Sequence, residues 1–390
     1  MRAVQKIAQR FAEVSTQVHR GRFVLVWDLV TAMLRGSRAT VTSLGRNLDR
    51  AIFERHAIKC ADRALSNAHL FDERHLWYRA IASMAVGACQ RPVIVVDGTE
   101  LDAGWGALRA SLTMDGRPVT ILDEVYRLTS LNKSRVHARF LRALRDVLPP
   151  SCRPVLLVDG AFMRPFFEKL RQLGWDYVGR LGSAMWVHSQ DLPSLQVRDL
   201  FRFARRKPRD LGACTLFARS RFHARVVLYD GRSERARRPA SPFPRGQNRQ
   251  RKRRQKAREP WVLVTSSHDL AARDIVALYQ RRMQIEESFR DDKSPRFGRG
   301  FRLARCSSTP RLAVLLLLLA LASFVLLTLG RVAQARRLAP RFQANSTARR
   351  TLSLASLGLR LISREDFRPH DHDIDRAFSY FARAGASPPA

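Results

Sequence analysis

Hydrophobic and polar positions change their period several times along this 390-residue chain, and each change predicts a different kind of element. Residues 1 to about 90 carry helix-compatible runs, Phe23–Leu34, Val41–Leu48 and Ile58–Leu65, broken by short Gly, Ser, Arg or Asn punctuation. Several short helices with basic residues between them predict a helical domain that binds DNA in helix-turn-helix fashion. At Pro92 the period shifts. PVIVV is a continuous β-branched run ending in Asp97, which predicts a buried strand. Ala107–Met114 and Pro118–Tyr126 flank Asp115-Gly116, a hairpin signal. Ser134–Val147 is amphipathic at helical spacing and stops before Pro149-Pro150. A second apolar run, PVLLV, ends in Asp159. A helix from Arg164 to Leu173, stopped by Gly174, and a strand over Tyr177–Leu181 follow. This order predicts an α/β fold with a mixed sheet covered by helices.

From Gly182 to Pro260 short strand-like pieces (Ala184–His188, Cys214–Arg219, Ala224–Tyr229) predict a β-rich insertion. It contains a tract, Arg232–Arg258, too charged to pack. Trp261–Thr265 restores a buried strand, and a helix is predicted to begin near Leu270. Leu312–Leu329 is uncharged and just long enough to span a bilayer. A helix apolar all round lies either in lipid or inside protein. The run is the only one of its kind, with arginine-rich sequence on both sides, so a buried core helix is expected. After Arg331 the chain is polar and less regular, and GASPPA reads as a frayed tail.

Charge narrows the partner. There are 70 Lys and Arg against 34 Asp and Glu, a formal net charge of +36. So basic a chain suits a polyanion, and nucleic acid is the expected one, because neutralised phosphates release condensed counterions. The five cysteines (Cys60, Cys89, Cys152, Cys214, Cys306) are odd in number and too scattered for a zinc pair, as in a reduced, cytosolic protein. The N-terminus MRAVQKIAQRF carries no secretory signal.

Chemistry concentrates at three acids. Asp97 and Asp159 share a grammar, VIVVDG and VLLVDG, that sets each carboxylate at the carboxyl end of a buried strand. Tyr279 to Lys293 reads YQRRMQIEESFRDDK. Offsets of three, four and seven place Tyr279, Arg282, Glu286 and Lys293 on one face of a continuous helix. Glu287 is turned roughly 100° from that face. Three carboxylates with oxygen donors only favour Mg²⁺ or Mn²⁺, and two such ions suit in-line displacement at phosphorus. Tyr279, Arg282 and Lys293 are expected to hold the scissile and flanking phosphates of DNA, Arg bidentately and Lys as a point charge. Glu100, Asp102, Asp123 and Glu124 are expected to be surface or locally bonded groups. Trp105 and Trp261 are expected in the core, although either could stack on an unpaired base.

At these residues the chain resembles the DDE transposases of bacterial insertion sequences, in the subgroup with a Tyr-Arg-Glu-Lys signature and a β-rich insertion before the last acid. Asp97 in VVDGTE resembles the first acid, Asp159 in LVDGAF the second, and Glu286 the third. The resemblance covers roughly residues 90 to 330. It implies a ribonuclease H-like core, two Mg²⁺ ions, a homodimer on paired element ends, and a cytoplasmic, nucleoid-associated protein without stable membrane association. It also implies a reaction order: a cut frees a 3′-OH, which attacks another phosphodiester, in relatives through a strand hairpin. The expected organisation is residues 1–90 for DNA binding, 91–181 and 261–335 for the catalytic core, 182–260 for the insertion, and 336–390 as a partly flexible C-terminal region. A metal-dependent nuclease without strand transfer and a non-catalytic DNA-binding protein are the alternatives.

Overall fold

The computed structural model describes residues 2–36, 38–102, 104–130, 134–162, 164–189, 193–216, 222–231, 259–296, 298–344, 351–364 and 366–388. The expected basic tract, Arg232–Arg258, lies outside these residues. Two compact units are formed: Met1–Arg153 with Arg281–Ala386, and Pro154–Gln280 with Ser387–Ala390.

The first unit begins with helices α1 (Arg2–Gln9), α2 (Ala12–Gln17), α3 (Arg20–Gly36), α4 (Val41–Arg46), α5 (Glu54–Leu65) and α6 (Ala68–Val86). Thr40 and Asn67 cap α4 and α6 by accepting from Ser43 and Leu70 N–H. Three antiparallel strands follow, β1 (Val93–Glu100), β2 (Trp105–Leu112) and β3 (Val119–Arg127), with β2 in the middle. The Asp115-Gly116 turn joins β2 to β3 as expected. Register sets Asp97 opposite Arg109 and Arg109 opposite Asp123, a cross-strand row of alternating charge. Helices α7 (Ser134–Val147) and, later in the chain, α11 (Met283–Lys293) belong to this unit.

The apolar run forms α12 (Thr309–Ala335). Its most hydropathic window is 94% buried, and α3, α5, α6 and β3 pack around it. The helix is apolar on every side because protein covers every side. The polar C-terminal stretch departs from expectation. Helices α13 (Leu354–Ile362) and α14 (Asp371–Ala384) both pack on α12. A Cβ on Gly330 would lie 2.0 Å from the Leu354 carbonyl oxygen, and one on Gly358 would lie 2.1 Å from that of Leu326. Glycine on both helices lets the two backbones touch, a contact that periodicity does not reveal. The first two residues of the expected tail are tied down: Val93 N–H donates to the Gly385 carbonyl (2.7 Å), and Ala386 bridges to Pro92.

The second unit carries a mixed sheet, in the order β4 (Val155–Val158), β5 (Asp176–Arg180), β10 (Trp261–Thr265), β9 (Phe222–Tyr229), β8 (Arg209–Leu216), β6 (Trp186–His188), β7 (Leu195–Gln196). Only β4 and β5 run parallel; the other neighbours are antiparallel. Helix α8 (Arg164–Gln172) covers β5 through Phe167, whose ring lies 4.6 Å from that of Tyr177. Short α9 (Val197–Leu200) and α10 (Ala272–Gln280) complete the unit. Strand β8 starts five residues before the expected Cys214. Gly212, at φ +65°, sits in a register shift between Asp210 and Ala213 that breaks the alternation along the strand.

Candidate active site

The helix expected to run unbroken from near Leu270 is two helices, α10 and α11. At the join, Gln284 and Ile285 N–H donate to the carbonyls of Arg281 and Arg282, three residues back, so the first turn of α11 is tightened. The signature is therefore divided: Tyr279 lies on α10, Arg282 at the N-cap of α11, and Glu286 and Lys293 on α11. Tyr279, on α10, is 4% exposed and packs edge-on against Trp261 at 5.0 Å. It belongs to the core of the second unit.

In the first unit the structure brings Asp97, Arg282 and Glu286 together. Asp97 stands past the middle of β1, where burial gives way to partial exposure. Arg282 Nη1 donates to Asp97 Oδ2 at 3.0 Å, and Nη2 donates to Glu286 Oε1 at 2.7 Å. Asp97 Oδ1 also accepts from Gly98 N–H at 2.7 Å. One guanidinium thus holds an acid from the strand and an acid one turn along the helix. The arginine side chain is 12% exposed, against 18% for Asp97 and 49% for Glu286, so the cluster opens to solvent on the glutamate side. Burial, then the negative charge of Asp97, pushes the Tyr126 phenol up to about 12. Lys293 Nζ donates to Thr99 Oγ1 and to the Glu100 carbonyl, both at 2.5 Å. Burial, followed by repulsion from Arg302 and Arg109, lowers its ammonium to about 8.

The polar residues that seat α11 escaped the sequence reading. Gln284, Ser288 and Asp292 repeat every four residues along one side of the helix. Gln284 exchanges hydrogen bonds with the Met114 backbone, its Oε1 accepting from the N–H at 2.8 Å. Arg109 is 2% exposed. It clamps Asp123 bidentately (2.8 and 2.9 Å), donates to Asp292 Oδ2 at 2.6 Å and reaches Ser288 Oγ at 3.3 Å. Burial pulls the guanidinium toward neutrality, but Asp123 and Asp292 outweigh it and keep it charged. On the neighbouring side Arg117 pairs with Glu287 and with Asp291 (2.7 Å). Asp123 and Glu124, expected at the surface or in local hydrogen bonds, are buried and bonded to distant partners. Glu124 is bound by Arg74 (2.9 Å) and His75 (2.6 Å) from α6. A signal existed in the alternating charges of β2, β3 and α11, but its partners lie up to 183 residues apart.

Asp159 immediately follows β4 in the second unit. It is partly exposed and accepts from Ala161 N–H through Oδ1 at 2.7 Å. Trp105 is buried, with Nε1 donating to the Ser307 carbonyl (3.0 Å) and Arg127 stacked 3.8 Å over its ring; Trp261 packs on Tyr229 and Tyr279. Both tryptophans thus serve packing. Asp97 and Glu286 offer only carboxylate oxygens and already share a cation, a donor chemistry that fits a hard divalent ion. Among the described residues, no group of three His, Cys, Asp or Glu side chains is close enough to cage a metal ion.

A family model described as a transposase DDE domain matches residues 88–325, well over half of the chain. No match is found among curated proteins.

Proposed function

The chain belongs to the transposase DDE domain family, and from that premise we propose that it cuts DNA at the ends of an insertion element and joins the freed 3′-OH to target DNA. Asp97, Asp159 and Glu286 are the proposed catalytic carboxylates and the ligands of two Mg²⁺ ions, with Mn²⁺ an acceptable substitute. Bound there, such ions would supply Lewis-acid stabilisation of the attacking and leaving oxygens. The observation that carries the reading is the Arg282 bridge. A strand aspartate and a helix glutamate are drawn to one cation in a family whose reaction requires clustered acids.

The side chains have separable tasks. Arg282 offsets the mutual repulsion of Asp97 and Glu286 and, on the open side of the cluster, can meet a phosphate. Lys293, fixed by Thr99 and Glu100, presents a point charge to a flanking phosphate. Tyr279, buried on Trp261, anchors α10, and its expected contact with DNA is given up. In the cut, water adds to phosphorus and the 3′ oxygen leaves, taking up a proton. In joining, that hydroxyl gives up its proton and displaces an oxygen at a target phosphorus. Residues 1–90 would recognise element ends, 91–181 and 261–335 would form a ribonuclease H-like core interrupted by the insertion 182–260, and 336–390 would complete it. A homodimer on paired ends, in the cytoplasm and at the nucleoid, fits this role.

The test is incubation with Mg²⁺ and DNA carrying the inverted repeats that bracket the gene. Cleaved ends and joined products are expected. Cleavage without joining would identify a nuclease, and binding without either a non-catalytic DNA-binding protein.

A further inference from the structure

A second basic feature of the first unit lies apart from the acids. The C-terminal end of α12 and one side of α14 enclose a cavity of about 430 Å³, lined by Arg331, Arg336, Arg376 and Arg383 with Asp373 and Ser379. Asp373 is committed: it binds Arg336 (2.5 Å) and accepts from His370 N–H (2.9 Å). Arg331 is stacked on the Tyr380 ring at 3.8 Å and donates to Gln334 (3.2 Å), which holds its guanidinium at the cavity wall. Among the described residues neither Arg331, Arg376 nor Arg383 forms an ion pair with a carboxylate. The other acids of α14 point elsewhere, Asp371 to Lys6 and Arg10, and Asp375 to Arg10.

Four guanidinium groups around one already-bound carboxylate leave a concave surface with uncompensated positive charge. Arg376 and Arg383 are exposed and two helical turns apart, about 10 Å along the axis, a spacing for successive phosphates rather than for one small anion. Gly385, two residues past Arg383, is bonded to Val93 at the start of β1, whereas Asp97 lies four residues along that strand, about 13 Å away. We infer that this groove is a second DNA-binding surface, gripping the sugar-phosphate backbone of a segment distinct from the one at the acids. The inference rests on the reading of the chain as a DNA-acting protein.

The experiment measures DNA affinity against salt for the full chain, for Arg376→Gln with Arg383→Gln, and for a control pair of exposed arginines on α7, Arg142→Gln with Arg145→Gln. Losing two phosphate contacts should lower the slope of log affinity against log salt by about 1.8, equivalent to a roughly sixty-fold weaker affinity at 0.1 M salt. The control pair, with the same loss of net charge, should leave the slope unchanged. Equal slopes for the unaltered chain and the groove variant would overturn the inference while leaving the transposase reading intact. An equal drop in the control pair would also overturn it, because net charge alone would then explain the effect. No DNA binding by the unaltered chain would remove both.

Discussion

Arg282 donates to Asp97 across the strand–helix interface and to Glu286 one turn along its own helix, so its charge opposes two carboxylates at once. Removing either acid takes away a proposed ligand but leaves the guanidinium partnered. Asp97→Asn and Glu286→Gln should therefore keep the melting temperature within a few degrees while strand cleavage falls by at least about a thousand-fold, the scale of several kcal/mol of lost charge stabilisation. Ordinary cleavage by either protein would remove the proposed chemistry. Lys293 supplies a pH signature. Its ammonium, lowered to about 8 chiefly by burial, loses its proton on mild alkalisation. DNA affinity should fall as pH rises from about 7 to 9, and Lys293→Arg, which stays charged, should flatten the profile. Stability should move oppositely. Above about 8 the unfolded chain holds this proton better than the folded one, so Lys293's destabilising contribution fades as pH climbs. Both ends of the Arg282 bridge were legible as candidates from spacing. The buried position of Tyr279 was not, because its packing on Trp261 joins separate segments that no local period links.

At the scale of elements, α11 is seated on the three-stranded sheet by Arg109, which neutralises Asp123 and Asp292 in a nearly dry interior. Arg109→Met leaves two buried carboxylates without their cation and should destabilise the fold by about 3–5 kcal/mol in urea titrations. Loss much below 1 kcal/mol would mean that solvent reaches the cluster. The α12–α13 contact makes a second prediction. Gly330→Leu or Gly358→Leu must push apart backbones that leave no room even for a methyl group. A cost of about 3 kcal/mol, at the upper end for overpacking, is expected in thermal melts. Local patterns find such helices but not their separation, since closeness depends on which small residue faces which carbonyl.

On the scale of the whole molecule, the decisive element is α12. Its composition satisfies a bilayer, yet neighbours drawn from residues 20–86, 119–127 and 354–384 enclose it. The protein should accordingly remain in the supernatant after alkaline carbonate extraction of membranes; retention in the pellet would contradict the enclosure. Contact density groups both ends of the chain with β1–β3 and divides the remainder at Pro154–Gln280. Composition alone suggests other boundaries, because it registers changes of local character rather than of packing.

The strand that carries Asp97, the strand before Asp159 and the helical character around Glu286 followed from the sequence alone, as did the basic partner chemistry and the apolar character of Leu312–Leu329. All of these depend on runs and spacings within a few residues, where backbone geometry links pattern to element. Tertiary structure alone decided that Arg282 joins two acids, that Arg109 binds residues 14 and 183 positions away, and that the C-terminal helices close over α12. Those outcomes arise from pairings between distant segments, where desolvation and steric fit select the partner and no local period encodes the choice.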